Sequence, residues 1–138
     1  TETTDSPDPV LAGISSRVDC VVSVSGDADL MVPYENTMWT QVFDQMFGGT
    51  VEEVPEVWQA ASPAYNVDED TVPFLIIHGN HDEEVPVEMA RNLADALAEA
   101  GRDYVFAEVD AGHLDVGEPE ATGNLIETFL AYQLHPET

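Results

Sequence analysis

Three short loops carry the side chains best suited to catalysis: residues 26–29, 79–86 and 111–114. Each loop follows an apolar segment that predicts a buried strand, and ligand sites in parallel sheets gather where strands meet such loops. The second loop contains Asp82 and the third contains His113. A carboxylate can fix the tautomer of an imidazole and stabilise its cation, while the imidazole deprotonates a nucleophile. A carboxylate after one strand and a histidine after the next is therefore the arrangement that a hydrolytic triad needs.

The elements that must position these loops alternate along the chain. The apolar patterns predict strands at 18–26, 72–79 and 104–109, helices at 87–100 and 121–134, and short helices with loops within 31–62. This alternation indicates an α/β architecture, a parallel sheet of about three strands with flanking helices. Since sheets usually have about four to six strands, we expect that part of the sheet is missing.

The charge balance is the strongest compositional signal. Asp and Glu number 28 against three basic residues, all arginine, so the formal net charge is -25 and lysine is absent. Such self-repulsion opposes folding at low ionic strength, but molar salt shortens the Debye length to about 3 Å. We therefore predict a protein of a salt-accumulating halophile, located in its cytoplasm or secreted into brine. The charge argues against a nucleic-acid partner, and no apolar run is long enough to span a bilayer.

The remaining composition is that of one domain. The chain has 138 residues, of which 43% are hydrophobic, enough for a packed core. Cys20 is the single cysteine and lies in an apolar run, so we expect a small buried core residue. Residues 1–16 open polar and acidic and are predicted to form a loop. Because the chain does not begin with Met, we expect translation to start upstream.

Several stretches resemble the C-terminal region of α/β-hydrolases, in particular the esterase/lipase and prolyl-oligopeptidase-like branches. They follow the family's order and spacing over nearly the whole chain, at 15–18, 47–55, 61–63, 78–86, 93–101 and 111–113. The resemblance implies that residues 1–138 are the C-terminal portion of a single α/β-hydrolase domain. It assigns Asp82 as the triad acid and His113 as the general base, with a small ester or peptide substrate and no cofactor.

The same resemblance places the nucleophile upstream. In this family a serine within Gly-x-Ser-x-Gly precedes the acid and the histidine, and this sequence contains no such motif. We therefore expect a missing N-terminal half to supply the nucleophile, the oxyanion hole and the early strands, and this chain alone to be inactive. Ser25 is an alternative nucleophile, but Ser23 and Asp27 stand where the motif needs glycine.

Other expectations concern single segments. Residues 31–62 would form a cap-like helical insertion over the acyl or alcohol pocket, or would simply pack as helices on the sheet. Asn80 and His81 depart from the acidic or small residues usual in the family, and residues 26–30 depart from its Gly-Pro turn. His78 is expected to pack at a strand end, and His135 to lie in the tail without a role.

Two other functions remain open. Residues 79–83, Gly-Asn-His-Asp-Glu, also resemble a motif of calcineurin-like metallophosphoesterases, in which Asn80 and His81 would bind metals that activate water. That family's earlier Asp-x-His pair is missing, and its Gly-His-x-His reads Gly-His-Leu-Asp at 112–115. The other possibility is a non-catalytic module derived from a hydrolase, which binds a partner or a small molecule. The oligomeric state is not predicted.

Overall fold

A computed structural model of the protein describes residues 8–34 and 37–135. The predicted loop at 1–16 therefore lies partly outside the described residues. The strands are β1 (Val21–Val24), β2 (Phe74–Gly79) and β3 (Tyr104–Val109). The helices are α1 (Thr37–Phe47), α2 (Pro55–Ala61), α3 (Val87–Glu99), α4 (Pro119–Thr122) and α5 (Leu125–Leu134), with a 3-10 turn at Pro63–Tyr65.

The three strands form one parallel sheet in the order β1-β2-β3, which confirms the predicted α/β fold class. The central strand β2 is buried because it has a neighbour on each side, and its side chains alternate between two apolar faces. Ile76 faces a core formed with Trp58 and the apolar side of α3. Leu75 and Ile77 face the other core, which includes Phe129 of α5.

Two elements differ from the predicted boundaries. The first strand was predicted over 18–26 but pairs only at Val21–Val24, because β1 lies at an edge of the sheet and finds bonding partners only where β2 runs beside it. The helix predicted over 121–134 is instead divided into α4 and α5. Gly123 lies between them with φ +59°, a left-handed conformation that a continuous α-helix does not contain.

The segment 31–62 contributes an aromatic cluster to the core that contains the buried residues of α3. Phe43 lies between Tyr34 and Phe47, with ring centroids 5.7 Å and 5.6 Å away, and Phe47 meets the edge of Trp58 at 5.0 Å. An adjacent side of α1 exposes Met38, Val42 and Met46, which are spaced four residues apart. The described part of this segment thus packs as helices on the core, and its role as a cap over a substrate stays a prediction.

Cys20 and Ser62 lie at two junctions of the core. Cys20 is half-buried at the margin of the second core rather than fully enclosed. Ser62 is fully buried, accepts a hydrogen bond from the Leu30 amide at 2.9 Å and donates to the Trp58 carbonyl at 2.8 Å. It therefore joins α2 to the loop after β1. Within the described residues, no helix combines the length and apolar character needed to cross a membrane.

Candidate active site

The loops that follow β2 and β3 lie directly against each other. A Cβ atom at Gly79 would come within 2.2 Å of the Ala111 carbonyl oxygen, so only glycine permits this approach. The Asn80 amide donates to the Val109 carbonyl at 2.9 Å, and the His81 amide donates to the Ala111 carbonyl at 3.1 Å. These bonds extend the pairing beyond the sheet and bring the two predicted catalytic loops together.

The carboxylate of Asp82 is enclosed at this junction, and its side chain is 0% exposed. Oδ1 accepts hydrogen bonds from the amides of Glu84 at 3.0 Å and Val85 at 2.8 Å, which closes a tight turn around the side chain. Oδ2 lies 2.9 Å from Nδ1 of His113. The structure therefore places the two residues singled out from the sequence within hydrogen-bonding distance.

Two opposing effects act on the pKa of Asp82. Burial raises it, but hydrogen bonds outweigh burial and hold the pKa of this carboxyl below its ordinary value. The bond from the Val85 amide contributes most, followed by His113, the nearby Ser25 hydroxyl and the Glu84 amide. Asp82 is therefore an anion at neutral pH and acts as the hydrogen-bond acceptor for His113.

His113 is held through one nitrogen and reaches solvent with the rest of its ring. Its side chain is 30% exposed, and the proton on Nδ1 is directed to Asp82 because a carboxylate can only accept. Nε2 is then the unprotonated nitrogen of the neutral ring, on the side away from Asp82. An imidazole in this state can take a proton from a hydroxyl or a water that approaches Nε2.

His78 was expected to pack at a strand end, and the structure shows an additional contact. The imidazole is buried, with Nε2 at 2.9 Å from the Val85 carbonyl oxygen and 3.3 Å from Asp82 Oδ2. His78 therefore touches the same carboxylate as His113. Sequence reasoning missed this contact because it depends on the path of the loop after β2.

Ser25 follows β1 and is the one non-glycine residue with positive φ within 8–34 and 37–135, at +44°. Its hydroxyl is buried and lies close enough to the Asp82 carboxylate to lower the pKa of that group. Among the described residues it makes no hydrogen bond to His113. A serine nucleophile must be within reach of its base. The described geometry therefore places Ser25 next to the acid rather than in the position of a nucleophile.

The residues proposed as metal ligands are arranged differently. Asn80 is exposed, and Nε2 of His81 lies 2.9 Å from Oδ1 of Asp110, with side chains that are 71% and 88% exposed. Across the described part of the chain, no three His, Cys, Asp or Glu side chains are grouped so that they could hold a metal ion. His135 directly follows α5 at the protein surface.

The loop after β1 contains polar contacts that sequence reasoning did not identify. Asp29 is buried and accepts a hydrogen bond from the Asn92 side chain at 2.6 Å, which attaches the loop to α3. Tyr34 donates its hydroxyl proton to Asp27 at 2.5 Å. Burial, reinforced by the Asp27 carboxylate, raises the pKa of Tyr34 well above its ordinary value, so the phenol stays protonated. The stretch Asp-Ala-Asp-Leu at 27–30 contains no signal for either partner.

Comparisons with known proteins identify a family and relatives for this chain. The BD-FAE family model matches residues 8–97, which include Asp82. Esterase LipC of Mycobacterium tuberculosis is 33% identical over 128 residues, a match that covers 86% of this chain and 32% of LipC. The chain thus spans about a third of the length of that relative.

Two solved structures illustrate the likeness in fold. A truncated carbohydrate esterase from gut microbiota superimposes with a TM-score of 0.63 at 30% identity, covering 72% of this chain and 36% of that one. An acylaminoacyl peptidase in complex with a chloromethyl ketone gives a TM-score of 0.70 at 18% identity, covering 88% and 21%. The second likeness concerns the fold alone.

Proposed function

Because the chain belongs to the BD-FAE family and has the three-stranded parallel sheet of an α/β-hydrolase, we propose that it supplies the acid and the histidine of a serine hydrolase. The substrate class is carboxylic esters. The observation that carries the proposal is the 2.9 Å contact between His113 Nδ1 and a buried, ionised Asp82 at the carboxyl ends of two adjacent strands.

Each residue has a defined role in the reaction. Nε2 of His113 takes the proton of a serine hydroxyl as that oxygen attacks the ester carbonyl carbon. Asp82 keeps Nδ1 protonated and stabilises the imidazolium that forms. His113 then returns the proton to the departing alkoxide, and in the second half of the reaction it activates water to release the acid. These reaction steps use no metal ion and no cofactor.

The nucleophile is proposed to come from a segment outside these 138 residues. The sequence contains no Gly-x-Ser-x-Gly, and Ser25 is not bonded to His113. Within the described residues β1 pairs with β2 alone, so its outer backbone edge is open to another strand. A parallel strand added there would end on the same side as Asp82 and His113, where a nucleophile is needed.

Ester hydrolysis is favoured over peptide hydrolysis by the nature of the relatives. Esterase LipC matches 86% of this chain, and the structural neighbour with 30% identity is a carbohydrate esterase. YtmA of Bacillus subtilis, named an uncharacterized peptidase, is 31% identical but matches only 55% of this chain. The acylaminoacyl peptidase shares the fold at only 18% identity. The net charge of -25 further disfavours binding of nucleic acid.

Fluorophosphonate labelling in molar KCl tests the proposal. We expect the 138-residue chain to stay unlabelled, and a protein that also contains the upstream half to be labelled. In that longer protein, Asp82→Asn and His113→Ala should each lower kcat for a short-chain ester by about 10³- to 10⁴-fold. His81→Ala is the matched control, since that exposed histidine of the same loop should leave kcat unchanged.

Three results would contradict the proposal. Labelling of the short chain itself would place the nucleophile within it. Near-normal turnover in Asp82→Asn or His113→Ala would remove their assigned roles. A longer protein that binds esters but is never labelled would favour a non-catalytic binding module.

A further inference from the structure

The interior of the acid loop contains a second histidine that the reaction does not use. His78 lies on the central strand β2 and is 1% exposed. Its Nε2 is 2.9 Å from the Val85 carbonyl oxygen and 3.3 Å from Asp82 Oδ2. Both neighbours only accept hydrogen bonds, so Nε2 must carry the proton.

The contacts of His78 complete a closed set of hydrogen bonds around the Asp82 carboxylate. The Val85 amide donates to Asp82 Oδ1, the Val85 carbonyl accepts from His78, and the same imidazole nitrogen approaches Asp82 Oδ2. Rotation of the carboxylate, or opening of the turn at 82–85, would break at least one of these contacts. These contacts together therefore hold Oδ2 in the position from which it binds His113.

Packing alone does not account for an imidazole at this position. Nδ1 of His78 is buried and has no hydrogen-bond partner among the residues that the structure describes. A buried polar atom without a partner is costly, whereas the neighbouring positions of β2 are filled by isoleucine and leucine at no such cost. The presence of an imidazole here is therefore explained by the contacts of its Nε2 atom with the Val85 carbonyl and Asp82.

The other charged groups near His78 are already paired. Glu108 is the register partner of His78 on β3, and its carboxylate binds Arg91 of α3 at 3.0 Å and 2.7 Å. Arg91 also binds Glu88 at 3.0 Å. Asp82 is thus the carboxylate that His78 contacts directly.

We propose that His78 is a positioning residue for the triad acid: its Nε2–H clamps the 82–85 turn and holds Asp82 Oδ2 against His113. The importance of this clamp for catalysis rests on the proposed hydrolase function. The existence of the clamp does not depend on that function, so the clamp and the function can be tested separately.

Nuclear magnetic resonance of the 138-residue chain in molar KCl tests the clamp without any activity. In the unmodified chain, long-range proton–nitrogen correlation should place the His78 proton on Nε2. A proton on Nδ1 with Nε2 bare would overturn the proposal, because the ring could then donate neither to Val85 nor to Asp82.

Two substitutions give the second readout. His78→Leu removes the donor and keeps the bulk, and His78→Gln places an amide N–H close to the position of Nε2. We expect the low-field proton signal of the His113–Asp82 bond to be lost in His78→Leu and kept in His78→Gln. The Val85 amide should exchange about two- to tenfold faster in His78→Leu, measured relative to the Leu93 amide of the core.

Controls separate the possible outcomes. His81→Gln changes an exposed histidine of the same loop and should leave both readouts unchanged. If His78→Leu fails to fold, the tautomer of the unmodified chain and the signal in His78→Gln still decide the question. A signal that survives in His78→Leu, or is lost in His78→Gln, contradicts the clamp. Failed fluorophosphonate labelling of the longer protein with an intact clamp would instead contradict the hydrolase function alone.

Discussion

Replacement of Asp82 by alanine or by asparagine separates two tasks of one side chain. Alanine removes both oxygens, so the amides of Glu84 and Val85 lose their acceptor inside the loop. Each buried N–H left without a partner costs about 1–3 kcal/mol, and Val85 is buried while Glu84 is half-buried. Asp82→Ala should therefore lower the free energy of unfolding by about 2–4 kcal/mol.

Asparagine keeps one of these tasks. Its carbonyl oxygen can still accept from both amides, but its NH₂ group then faces the donors on His113 and His78. Because His113 is partly exposed and water can replace the lost acceptor, Asp82→Asn should cost about 1–2 kcal/mol. The difference between the two variants, about 1.5 kcal/mol between the midpoints of these ranges, measures what the turn contributes independently of the histidines.

Urea unfolding in molar KCl, followed by the fluorescence of buried Trp58 and by circular dichroism, gives these free energies. Asp110→Asn is the matched control, since Asp110 is exposed and pairs only with the exposed His81 in the described structure. Equal losses in Asp82→Ala and Asp82→Asn would refute the reasoning, because the amide contacts would then contribute nothing. A loss in Asp110→Asn as large as in Asp82→Asn would show an effect of charge rather than of the loop.

Three further predictions concern the pH dependence of stability, the buried Ser62 hydroxyl and the effect of salt. The pKa of Asp82 is lower in the folded chain than in the unfolded chain, so its stabilising effect is complete above about pH 4 and is lost as the pH falls through the folded value. Below about pH 4 the urea midpoint of the unmodified chain should therefore fall more steeply with decreasing pH than that of Asp82→Asn, and parallel curves would contradict this. Ser62→Ala should cost about 1–3 kcal/mol, because the Leu30 amide loses its acceptor, and an unchanged urea midpoint would exclude that bond. The fold should loosen when KCl is lowered from molar to about 0.1 M, where the Debye length grows to about 10 Å, and a circular dichroism spectrum indifferent to salt would count against the halophile prediction.

The architecture was largely predictable because it depends on local pattern. The continuous apolar run at 72–79 predicts a strand buried on both faces, and β2 occupies Phe74–Gly79. The helical spacing of apolar residues at 87–100 matches α3 at Val87–Glu99, which packs those residues into the core. Where the outcome depends on a neighbour or on one backbone angle, as at β1 and Gly123, the predicted boundaries were wrong.

The sequence by itself determined which residue types stand after each strand, and its resemblance to α/β-hydrolases singled out Asp82 and His113 among them. Only the tertiary structure decided which of their atoms meet. The clamp by His78, the left-handed Ser25 and the bond from Asn92 to Asp29 all join segments whose distance is set by the approach of loops over the sheet edge. Local propensity acts over a few residues, whereas these hydrogen bonds form only after the strands have paired and the helices have packed.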